Sequence, residues 1–117
     1  MAHSDNFREL KQRAIDARLE RDQALRDVRI EEMYAVFRFL DGNQLAYEEL
    51  GKNEEIRTLQ RMRILEHDEA YRVCRNNAIA QERAYLEAEA DLDAYLEVRR
   101  IQREDLQRAQ IEQGALA

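Results

Sequence analysis

Residues 53–112 read NEEIRTLQRMRILEHDEAYRVCRNNAIAQERAYLEAEADLDAYLEVRRIQREDLQRAQIE, with neither proline nor glycine. Ile64, Tyr71, Ala78, Tyr85 and Leu92 recur every seven places, and the series resumes at Leu106 after Arg99. His67, Cys74, Ala88, Tyr95 and Ala109 lie three residues on, with Gln81 and Gln102 as polar members. Alternating steps of three and four draw one seam along a helix, the pattern of coiled-coil a and d positions. Nothing in the stretch obliges a helix to stop, so the spacing predicts one helix over 54–112.

Outward from that stretch, Gly51 closes a short helical segment over 44–50, and Asn53 caps the long helix with Glu54 and Glu55 in its favourable first turn. A first helix is predicted over 5–40. Asn6 and Glu9 have capping-box spacing, and Phe7, Leu10, Ala14, Ala17, Ala24, Leu25 and Val28 form an apolar stripe. The stripe thickens in Ile30, Met33, Tyr34, Val36, Phe37 and Leu40, the densest apolar block of the chain. Asp41-Gly42-Asn43 ends the helix, with Gly42 suited to a left-handed cap.

The expected fold is all-α: one domain over 1–117, an antiparallel helical hairpin with a very long, coiled-coil-like C-terminal helix. The alternative is a three-helix bundle broken near Asn76-Asn77, because Asn is a weak helix former. In the hairpin, a first helix of roughly 54 Å covers a second of roughly 88 Å only to about Glu89, at ~1.5 Å per residue. Leu92, Tyr95, Leu96, Ile101 and Leu106 lie beyond, together with Val98 and Ile111. Each costs on the order of 1.5–3 kcal/mol to leave wet rather than buried, so self-association is expected there, as a homodimer.

Composition narrows the function classes. Charged residues make up 38% of the 117 and the net charge is −6, which disfavours a general nucleic-acid coat. Arg57, Arg61, Arg72 and Arg75 are diluted by neighbouring acids and accompany no nucleic-acid-binding motif. An accessory factor using that Arg face is the alternative function. Cys74 is alone, so no intramolecular disulfide forms, and its seam position suits a small apolar residue. The longest apolar run is Met33–Phe37, far short of a membrane span, and no signal-peptide pattern opens the chain. A cytoplasmic protein without a membrane segment is expected.

No chemistry-bearing constellation emerges. His67 has Ile64, not Glu, three residues before it, and lies two turns from Cys74, roughly 10 Å, too far to chelate one zinc. There is no Gly-rich phosphate loop and no nucleophile elbow, so no catalytic residue, cofactor or metal is expected. Glu87, Glu89, Asp91, Asp93 and Glu97 form an acidic run, read as a face for a basic protein partner. Tyr85-Leu-Glu-Ala-Glu89 has the Tyr-x-x-x-Glu spacing of secreted WXG-type hairpins, but the chain has no Trp and turns at Asp41-Gly42-Asn43, so no family is assigned. The expected function is a non-enzymatic helical protein–protein interaction module: a scaffold, adaptor, assembly chaperone or inhibitor of a larger complex.

Overall fold

The structure, a computed structural model, describes the backbone of residues 2–116 and the side chains of residues 6–115. The described residues form helix α1 (Ala2–Gly42), a 3-10 turn (Tyr47–Leu50), α2 (Glu54–Glu66) and α3 (Glu69–Leu116), with no strand among them. The fold is an all-α antiparallel helical hairpin with a long C-terminal helix.

Three local readings change. Asn6 lies inside α1 and is not its cap, because the helix already runs from Ala2. Gly42 does not adopt the left-handed conformation; Gln44 does, at φ 54°. Asn43 instead closes α1, donating from its backbone N–H (3.1 Å) and its Nδ2 (2.8 Å) to the carbonyl of Phe39.

The third change is the break in the long helix. It falls at His67-Asp68, while Asn76 and Asn77 sit within α3. The His67 N–H reaches the carbonyls of Arg63 and Ile64 at 3.3 Å each, and the Asp68 N–H reaches Leu65 at 3.2 Å, the tightened bonding of a helix end. Asp68 then starts α3, its Oδ1 accepting from the Tyr71 N–H at 2.9 Å, as an N-cap does. Arg38 holds that carboxylate from α1 through Nη2, at 2.9 and 3.1 Å. At the other end of α2, Asn53 is the cap the spacing predicted, its Oδ1 accepting from the Ile56 N–H at 3.0 Å.

The chain divides into two compact units, and α1 and α3 contribute to both. In the unit of residues 18–83, Arg38 pairs with Asp68 and Arg21 with Glu82 (3.7 Å), so descending α1 matches ascending α3. Arg61 ties α2 to Glu32 of α1 at 2.8 Å. Ala24, Ala35, Ile64, Leu65 and Ala78 are buried there. In the other unit, residues up to Ala17 face residues from Ala84 onward. Phe7 meets Tyr95 with ring centroids 6.3 Å apart, Arg13 pairs with Asp91, and Ala14 and Ala88 are buried.

The heptad seam is the covered side of α3. From Tyr71 to Tyr95 every seam position is buried or half-buried, whereas every described residue from Leu96 on is exposed. The fully buried positions are mostly alanines, Ala14, Ala24, Ala35, Ala78 and Ala88, which let helix backbones approach closely but remove little apolar surface from water.

Candidate interaction surfaces

Alpha-helical spacing gives α1 two apolar faces. Ala24, Val28 and Ala35 lie on one side, and packing covers them: Ala24 is 3% exposed and Ala35 1%. Leu19, Ile30, Met33, Tyr34 and Phe37 follow one another at helical intervals around the opposite side and are all exposed, Met33 at 74% and Phe37 at 64%. A helix that is apolar on two sides normally buries both, so the outer stripe is a surface in want of cover. Beside it a cavity of about 270 Å3 is lined by Met33, Val36, Phe37, Leu40 and Tyr47, with Glu32 and Arg61. A second cavity, about 620 Å3, has Phe39, Leu45, Leu50 and Ile64 in its lining together with Arg63 and His67.

The residues expected to drive self-association are dispersed. Leu92 and Tyr95 are half-buried in the hairpin, Tyr95 against Phe7, because α1 reaches further along α3 than length arithmetic from Asn53 allowed. That arithmetic assumed one unbroken helix from the turn onward. Leu96, Ile101 and Leu106 are exposed but do not share a face: Leu106 continues the seam two heptads after Leu92, while Ile101, five residues before it, points about 140° away at ~100° per residue. Val98 and Ile111 are exposed on further sides.

The acidic run does not make one face either. Glu87 and Asp91 are four apart and share one side of α3, whereas Glu89, Asp93 and Glu97 share another. Arg13 pairs with Asp91, and Arg100 with both Glu97 and Glu104 (2.9 Å). The hydrogen bond from Arg100 holds the Glu97 carboxyl below its ordinary range.

The arginines divide similarly. Arg57 is bonded to Glu54 (3.1 Å) and to the Gly51 carbonyl (3.2 Å), Arg61 is paired with Glu32, and Arg75 lies over the Tyr71 ring at 6.0 Å. Cys74 is free and half-buried, His67 closes the end of α2, and among the described residues no three of His, Cys, Asp and Glu come together in a metal-holding group.

Glu31, Arg38 and Asp68 form a titratable cluster, Arg38 pairing with both acids. The Tyr71 N–H and then Arg38 lower the Asp68 carboxyl below its ordinary value, while Glu31 first and Asp68 second raise the Arg38 guanidinium. This cluster fixes the α2–α3 junction. In the sequence, the outer side of α1 is visible only as the apolar block Ile30–Phe37, with nothing to mark it as a surface. No protein-family model, no curated protein and no solved structure matches this chain.

Proposed function

We propose that this protein is a non-enzymatic helical interaction module, a scaffold, adaptor, assembly chaperone or inhibitor of a larger complex. One observation carries the reading: Ile30, Met33, Tyr34 and Phe37 of α1 stand outside the hairpin, while Ala14, Ala24 and Ala35 of the same helix are buried inside it. Monomeric soluble proteins rarely keep such a contiguous patch wet, and aromatic and Met-rich helix faces are what partner proteins cover. The apolar stripe replaces the acids of α3 as the partner-binding surface, since those acids are split between two sides and partly paired.

Affinity capture from the native host, with the wild type and with a chain carrying both Ile30→Asp and Phe37→Asp, tests it. The wild type should retain a defined set of proteins that the variant releases, with helicity unchanged by circular dichroism. Identical retention by both chains would count against the reading.

A further inference from the structure

Resting on the interaction-module reading, we infer that the outer stripe of α1 docks a second copy of this chain, antiparallel, about a two-fold axis passing between Met33 and Tyr34. The stripe is self-complementary. From Arg26 to Asp41, with Leu19 lying beyond, its members are Arg26, Ile30, Met33, Tyr34, Phe37 and Asp41, and the intervals between these six residues, four, three, one, three and four, read the same in both directions. An isologous interface needs this property, because the residue at one position must suit the residue at its mirror position.

Antiparallel pairing sets Ile30 against the partner's Phe37 twice, and brings Met33 against the partner's Tyr34 on either side of the axis. It also sets Arg26 against the partner's Asp41 at both ends of the patch. Those two charges are available. Both side chains are exposed, Arg26 donates only to the neutral Gln23 Oε1 at 2.9 Å, and neither forms an ion pair among the described residues. A helix face that placed two like charges at its mirror positions would repel its copy; this one places opposite charges there.

The area is sufficient for a weak dimer. Ile30, Met33, Tyr34 and Phe37 are each half or more exposed, and together present roughly 500 Å2 per copy, so a pair buries at most on the order of 1,000 Å2 through them. That is the lower end of specific interfaces and fits micromolar association rather than an obligate dimer.

Charge reversal tests the register directly. Sedimentation equilibrium of the full chain compares the wild type, Arg26→Asp, Asp41→Arg and the double variant, with circular dichroism confirming helicity. Each single reversal places like charges together at both ends and should weaken dimerisation by roughly tenfold or more. The double reversal restores opposite charges and should recover wild-type association to within about threefold. A wild-type dimer indifferent to the single reversals, or a double variant weaker than either single one, overturns the proposal. So does a monomeric wild type, and if its capture of host proteins is still lost with Ile30→Asp and Phe37→Asp, the interaction reading stands while the second copy is replaced by another protein.

Discussion

At the scale of single residues, two positions carry local cost or local order beyond what their spacing suggests. Gln44 holds φ 54°, where a side chain is disfavoured by about 1–2 kcal/mol, and glycine is not. Gln44→Gly should therefore raise stability by about 0.5–1 kcal/mol after the extra freedom of the unfolded glycine is offset, read from urea melts. Asp68 orders the chain instead. Its folded carboxyl is held below the ordinary aspartate range, first by the Tyr71 N–H and then by Arg38. A group lowered on folding contributes stability that is complete above its unfolded value and disappears as pH falls through its folded one. Asp68→Asn retains a capping oxygen but not the charge, so the wild type should be the more stable at neutral pH and the difference should shrink towards zero in acid. Denaturation midpoints across that range check it, and a difference independent of pH would mean the charge contributes nothing. The break that Asp68 makes was hidden from spacing analysis, because it depends on Arg38, thirty residues earlier, and involves neither proline nor glycine.

At the scale of elements, the seam was legible because helical periodicity is a property of the segment itself, and the side of α3 it marked is the side packing covers as far as Tyr95. The outer stripe of α1 was visible as an apolar block, yet its exposure was not. The helix offers one side of small residues and one of large, and sequence alone assigns the large ones to a core. Packing took the side with Ala24 and Ala35 instead, where helices approach closely. Asn76 and Asn77 are exposed interior positions of α3. Replacing both with Ala should stabilise the protein by roughly 1 kcal/mol, and Asn77→Pro should cost ~3 kcal/mol or more. Glu69→Pro, at the first helical position after the Asp68 cap, should cost less than about 1 kcal/mol, since proline is suited to that position. Thermal melts of the three variants compare these outcomes directly. A tolerated Asn77→Pro beside a damaging Glu69→Pro would place the break where the structure does not.

At the scale of the whole molecule, a chain of net charge −6 keeps Met33, Tyr34 and Phe37 outside and stabilises its hairpin with alanine contacts and inter-helical pairs such as Arg38–Asp68, Arg61–Glu32 and Arg13–Asp91. Exposed pairs of this kind contribute little each, about 0–1 kcal/mol, so covering the stripe on α1 adds the larger increment. Association and stability are therefore coupled. The most direct measurement is the solution mass of the wild type and of Met33→Asp by sedimentation equilibrium, from roughly 1 to 200 µM, a span that brackets micromolar affinity. The wild type should pass from 13.9 kDa towards twice that mass as concentration rises, while Met33→Asp stays at 13.9 kDa with its helicity intact. A wild type that remains at 13.9 kDa throughout, or a Met33→Asp variant that dimerises equally well, would contradict the account.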